Sequence, residues 1–227
     1  MRAPDGVLAP GRGPAIWADD LSDFLHRAER GLLCEPPGSD DPTSNPRGDH
    51  DLDPDGFAVA PRQPHRLAAV LVPILPVPGG LAVVLTQRAA HLRDHSGQIA
   101  FPGGKMDPGD PSPIATALRE AEEEIGLSPA LVRPLGYLDP YLSATGFLVT
   151  PVVGLVEPNP HLTINPDEVA DVFEVPLDHL MDPGRHLIKT RSWQGRMRIY
   201  YAIPFGQRLI WGLTAGIVHN LYERLFR

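Results

Sequence analysis

The sequence predicts a fold that layers helices on a sheet, of the α+β or mixed-sheet α/β kind. Two observations carry this. Strand-length apolar runs and helix-spaced apolar stripes both occur, and they do not alternate regularly. The composition, 42% apolar and 21% charged in 227 residues, is that of a globular protein with enough chain for a real core.

The elements follow in order. Residues 15–34 place Trp17, Leu21, Phe24, Leu25 and Ala28 at helical spacing, which predicts a short amphipathic helix. Residues 35–60 are rich in proline and acid and predict a flexible linker. "RLAAVLVPIL" from Arg66 and "GLAVVLTQR" from Gly80 are two strands of a hairpin. Residues 113–126 read as a helix and "FLVTPVVGLV" at 147–156 as a β-branched strand. "EVADVFEVPL" at 168–177 reads either as a strand or as a turn into a helix, and 196–205 alternates like a strand. From Ile210, Leu213, Ile217, Leu221 and Leu225 recur every four residues, which predicts a closing helix. The organisation expected is therefore an N-terminal extension (1–34), a linker (35–60) and one domain (61–227).

Charge and cysteine content narrow the setting. The net charge is −8, but residues 35–56 hold seven acidic residues against Arg47 alone, so the linker supplies most of it. The balance argues against a nucleic-acid partner. No run approaches the length of a membrane span, and the first 20 residues lack the apolar core of a signal peptide. Cys34 is the single cysteine, which fits a reducing, cytoplasmic setting. Asp51, Asp53, Asp55 and Gly56 imitate the start of a calcium loop, but Arg62 stands where a bidentate glutamate is required.

The chemistry-bearing stretch is "LREAEEEIGL" at 118–127. At roughly 100° per residue, Ile114, Ala117, Leu118, Ala121 and Ile125 form a core stripe. Glu120, Glu123 and Glu124 share another face and Glu122 points away. Three carboxylates in one turn repel one another, and they sit at the helix end where the dipole disfavours anions. Such a face is either a solvated acidic surface or a site for a hard divalent cation. The preceding loop, "AFPGGKMDPGD", favours the second, because Gly103 and Gly104 let backbone approach a ligand or ion closely.

Gly104 followed by Arg119-Glu120-Ala121-Glu122-Glu123-Glu124-Ile125-Gly126-Leu127 resembles the Nudix box. The loop is one residue longer than the usual pattern, and Asp110 stands where a glutamate is usual. A second stretch, "LTQRAAHLRDHSGQIAFPGG" at 85–104, resembles the signature of the coenzyme A pyrophosphatase branch, through Thr86, Arg88, Ala89, Arg93, Gly97, Phe101, Pro102, Gly103 and Gly104. The likeness covers about residues 62–227.

The resemblance implies a Nudix-type α/β/α sandwich carrying the N-terminal helix as an extension. It implies Mg²⁺- or Mn²⁺-dependent hydrolysis of the diphosphate of coenzyme A or an acyl-coenzyme A. Glu120, Glu123, Glu124 and Gly104 are then the metal ligands, and Glu120 is a candidate base. Arg119 is the residue that orients a glutamate through a bidentate pair. Arg88, Arg93, His95, Gly97, Phe101 and Gly103 are the substrate-binding set. Arg88 or Arg93 can instead pair with an acid such as Asp94 or Asp107, and Glu168 is either a distal ligand or base or a cap. The partner expected is a small nucleotide of the coenzyme A class; neither nucleic acid nor membrane is expected, and a homodimer is compatible. Two other readings remain open: a Nudix hydrolase of ADP-ribose or NADH, and a non-catalytic Nudix-fold binder.

Overall fold

A computed structural model describes residues 21–37, 46–52, 65–92, 97–143, 145–193 and 196–227. Its elements are α1 (Leu21–Gly31), β1 (Arg47–Gly48), β2 (Arg66–Val77), β3 (Gly80–Arg88), β4 (Ile99–Ala100), β5 (Gly103–Lys105) and α2 (Pro113–Ile125). They continue with β6 (Val132–Tyr137), β7 (Tyr141–Leu142), β8 (Phe147–Val156), β9 (Val169–Pro176) and α3 (Leu177–Met181). The chain ends with β10 (Leu187–Trp193), β11 (Arg196–Phe205), β12 (Arg208–Trp211) and α4 (Leu213–Leu225).

β2 is the centre of a mixed sheet. It runs parallel to β8 over residues 66–74 and antiparallel to β3 over 74–77. Its apolar run is nearly continuous because both faces are covered. Ala68, Val70, Val72 and Ile74 enter one core and Ala69, Leu71 and Leu75 the other, as the period of two requires. α2 covers the second face, while α1, α3 and α4 cover the first, so the domain is an α/β/α sandwich. Among the described residues no helix is long and apolar enough to cross a membrane.

The β2–β3 hairpin is splayed. Beyond Ile74 the two strands part, and the segment from Ile99 to Lys105 enters the gap. β4 pairs with β3 at Thr86 and Gln87, and β5 pairs with β2 at residues 68–70. Between them the Leu71 N–H donates to the Pro102 carbonyl at 2.8 Å. Pro73, which has no N–H to offer, sits where β2 has left β5 and has not yet met β3. The wedge places two glycines against α2, and this is the feature that builds the site.

The N-terminal helix belongs to the same core. Phe24 is fully buried and Ala28 nearly so, both within the cluster that α4 joins. The Arg224 guanidinium donates to the Gly31 carbonyl at 2.9 Å, and Leu33 and Tyr137 exchange two backbone hydrogen bonds of 2.9 Å. The segment expected to be flexible throughout 35–60 is structured at 46–52. β1 pairs with β7, Arg47 pairs with Glu223 at 2.6 Å, and the Tyr141 hydroxyl donates to Asp49 at 2.9 Å. Most of the imitation calcium loop lies outside the described residues; its Asp51 pairs with Arg47.

The closing helix starts at Leu213 rather than Ile210. Ile210 and Trp211 are in β12, which with β10 and β11 forms a second, three-stranded sheet, and Gly212 turns the chain at φ 62°. α4 meets that sheet through His219, which also touches His186 just before β10. The His219 ring stacks on Tyr201 at 4.1 Å, and its Nδ1 faces the Nδ1 of His186 at 2.9 Å. His186 Nε2 lies 2.7 Å from the Leu180 carbonyl, which can only accept, so Nε2 carries the proton and the His186 Nδ1 accepts from His219.

Candidate active site

The glutamate helix is bounded by standard devices. Ser112 caps its start, accepting the Ala115 N–H at 3.2 Å, and Pro113 occupies the first turn. Gly126, left-handed at φ 66°, ends it, with the Gly126 and Leu127 N–H groups returning to the last carbonyls. Ala117, Ala121 and Ile125 are fully buried against the sheet, and Ile114 and Leu118 pack at the margin. Glu122 is exposed.

The other three glutamates are graded in depth. The side chain of Glu124 is 4% exposed, that of Glu120 15% and that of Glu123 54%. Glu124 accepts the Gly103 N–H at 3.2 Å on Oε2. Gly104 makes room for Glu120: a Cβ there would stand 2.5 Å from Glu120 Oε2 and 2.6 Å from its Cδ. Gly103 is constrained differently. Its φ is +154°, and a Cβ would collide with the Ala69 carbonyl and lie 2.5 Å from Val70 Cα, both in β2.

Arg119 orients the outer pair of glutamates, but its bidentate partner is not one of them. Nε and Nη2 donate to Asp110 Oδ1 and Oδ2 at 3.2 and 2.9 Å, which leaves Nη1 to bridge Glu120 at 2.9 Å and Glu123 at 3.2 Å. Asp110 is fixed in turn by the Thr116 hydroxyl at 2.9 Å and the Asp107 N–H at 3.0 Å. Hydrogen bonding from Arg119, foremost, holds the Asp110 carboxyl well below the usual carboxylate range. The residue that departs from the usual box is thus the one that clamps the arginine. A fork needs only two oxygens, which aspartate has.

Of the acids expected to pair with Arg88, Asp94 lies outside the described residues and Asp107 pairs with Arg119 instead. Arg88 Nη1 lies 3.6 Å from Glu124 Oε1. By strand parity Arg88 shares a face of β3 with Val84 and Thr86, and Val84 belongs to the core beneath α2. Burial pushes the Glu124 carboxyl up to about 7, against the Gly103 N–H and Arg88, and burial also raises Glu120. The charge of Glu168 adds to the upward shift of both.

Glu168 is held at the site by a turn that sequence reasoning left undecided between ligand and cap. The Asn165 N–H donates to the Glu124 carbonyl at 2.9 Å and the Ala89 N–H to the Glu168 carbonyl at 2.8 Å. The turn thereby completes the hydrogen bonding of the α2 terminus and joins it to the end of β3. The only sequence signal for this is the acidic pair Asp167-Glu168 in "NPDEV", too weak to separate the two roles.

Other expected members sit elsewhere. Phe101, expected in the substrate-binding set, is 3% exposed and packs in the core on the face away from α2. Gly97 turns the chain at φ 70° and donates to the Arg88 carbonyl at 3.2 Å. Arg93 and His95 lie outside the described residues. Among the described residues no three acidic, histidine or cysteine side chains are gathered as a metal-holding group. Glu120, Glu123 and Glu124, expected on one face, do not converge, because Glu124 turns inward to Gly103 while Arg119 lies between the other two. The donor set still suits a hard divalent cation. It consists of carboxylates beside glycine backbone, and one is buried with a single backbone hydrogen bond and one distant guanidinium.

Residues 64–197 match the family described as NUDIX domain. The chain belongs to the Nudix family. It is 48% identical over 161 residues to the "Uncharacterized Nudix hydrolase NudL" of Photorhabdus laumondii subsp. laumondii, spanning 71% of this chain and 86% of that protein. It is 46% identical over 159 residues to the protein of the same name from Escherichia coli K12, spanning 69% and 81%. A solved Nudix hydrolase from M. smegmatis, RenU, shares 26% identity over 52% of this chain and 74% of its own, with a TM-score of 0.44. The chain is therefore a Nudix pyrophosphohydrolase for nucleoside diphosphate derivatives, in a family that generally uses divalent metal ions.

Proposed function

We propose that this Nudix hydrolase cleaves the diphosphate of coenzyme A or an acyl-coenzyme A, with Mg²⁺ or Mn²⁺, to 3',5'-ADP and 4'-phosphopantetheine or its acyl form. The observation that supports this reading most is the meeting of Arg88 with Glu124 at 3.6 Å. It joins the stretch that resembles the coenzyme A branch to the glutamate helix in one site.

Glu120, Glu124 and the Gly104 carbonyl would hold the cation, with Glu123 at the exposed rim and Glu168 as an added carboxylate. When bound, a divalent cation neutralises phosphate oxygens and acidifies water. The protein's own part is positional and basic. Arg119, clamped by Asp110, fixes the Glu120 carboxylate. Glu120 takes a proton from water as the new O–P bond forms and the bridging P–O bond breaks. Arg88, and from the same motif Arg93 and His95, are assigned to the substrate's phosphates.

A substrate panel with Mg²⁺ and Mn²⁺ tests the proposal. Coenzyme A, 3'-dephospho-coenzyme A, ADP-ribose and NADH would be compared by kcat/KM with product identification. Coenzyme A is expected to lead. Brisk turnover of ADP-ribose with none of coenzyme A would overturn the substrate assignment, and no turnover of any would favour a binding protein.

A further inference from the structure

We propose that Arg88 is a built-in counter-cation for Glu124, which a divalent ion displaces when it binds. The inference rests on Glu124 being an ion ligand. Its starting point is a charge imbalance. Glu124 is almost wholly buried, and the charges of Glu120 and Glu168 act on it unfavourably. A buried carboxylate in such company needs a cation. Arg119 does not provide it, since its guanidinium is shared among Asp110, Glu120, Glu123 and the Lys105 carbonyl. Among the described residues Arg88 is the cation paired with Glu124.

The local geometry fits this role. One Glu124 oxygen is taken by the Gly103 N–H, and the other faces Arg88 Nη1. The Arg88 backbone is pinned on both sides, its N–H donating to the Gln98 carbonyl at 2.9 Å and its carbonyl accepting from Gly97 at 3.2 Å. The side chain is 28% exposed, so it can turn towards solvent while the main chain stays in place. Its separation from Glu124, 3.6 Å, is longer than a made hydrogen bond, as suits a partner that must leave. A divalent ion at Glu124 and a guanidinium beside it repel each other, so binding of one drives out the other.

The test uses the full chain as wild type, R88M, R88K, E124Q and R88M/E124Q at pH 8. Melting is followed without metal and with Mn²⁺, and Mn²⁺ binding by the loss of its free-ion EPR signal. Without metal, R88M is expected to melt several degrees below wild type, with R88K between. Saturating Mn²⁺ should raise the R88M melting point by more than it raises the wild-type one, and R88M should bind Mn²⁺ about threefold or more tighter once the repelling charge is gone. In the E124Q background the R88M change should have no further effect. R88M behaving as wild type in both readouts, or weakening the protein equally with and without Glu124, would overturn the proposal. E124Q binding Mn²⁺ as tightly as wild type overturns the ion reading and the exchange with it, while the metal-free melts still decide the Arg88–Glu124 pair. These readouts do not depend on turnover or on which substrate the enzyme prefers.

Discussion

Adding one methyl group at two adjacent glycines should separate catalysis from folding. At Gly104 the new Cβ would stand 2.5 Å from Glu120 Oε2. Ordinary contact is near 3.4 Å, so the Glu120 carboxylate must move by roughly 1 Å, and a displacement of that size at a reacting centre costs about 10²-fold in rate. The obstacle is the tip of a flexible side chain, and Gly104 does not occupy the left-handed region. G104A should therefore change stability by less than about 1 kcal/mol, the loss of clearance being offset by a less free unfolded chain. At Gly103 the obstacles are the Ala69 carbonyl and Val70 Cα of the central strand, and φ is +154°. G103A should cost about 3 kcal/mol or more. The assays are urea denaturation for both variants and steady-state hydrolysis for those that fold. G104A with wild-type kcat, or unfolding as readily as G103A, would refute the placement of Glu120 against the glycine.

Three further outcomes follow from the same structure. E122Q should leave kcat within about twofold and stability within about 0.5 kcal/mol, since Glu122 is exposed; melting and kinetics check this. F24A should lose about 3–5 kcal/mol in urea denaturation, because Phe24 is fully buried although it precedes the residues that match the family. Burial pushes His219 down to about 4 in the folded protein, whereas an unfolded histidine protonates near 6.5. The unfolded state then binds the extra proton as pH falls between these values, so this contribution is present above about 6.5 and is lost towards 4. Between pH 7.5 and 5 it amounts to about 2 kcal/mol, and H219N should lose that much less than wild type in paired denaturation curves.

The sheet and the glutamate helix were legible because their signals are local. β2 and β8 are long apolar runs, and α2 has both an apolar stripe and end signals. β6 was not legible, because Pro134 and Gly136 interrupt its pattern where its pairing with β8 shifts register. β10 was missed because its side chains are largely exposed, which removes the alternation that burial imposes. In the site, the wheel separated Glu122 from the others but could not grade their depth. Depth depends on the strand that approaches, and that strand is the glycine wedge. The same limit explains Asp110. A sequence shows a shorter acid in a longer loop but not that the two changes bring its oxygens to Arg119. Phe101 lies inside a motif and is buried in the core, and a motif also contains the residues that anchor it.

The segment from Ile99 to Lys105 is hydrogen-bonded into the gap of the splayed hairpin, so the glycines of the site are rungs of the main sheet. They cannot loosen unless β2 and β3 lose partners on their inner edges. Heat inactivation of this enzyme should then report global unfolding, with loss of activity and loss of the sheet falling on one curve. Any motion needed to admit substrate or release product has to come from other parts of the chain.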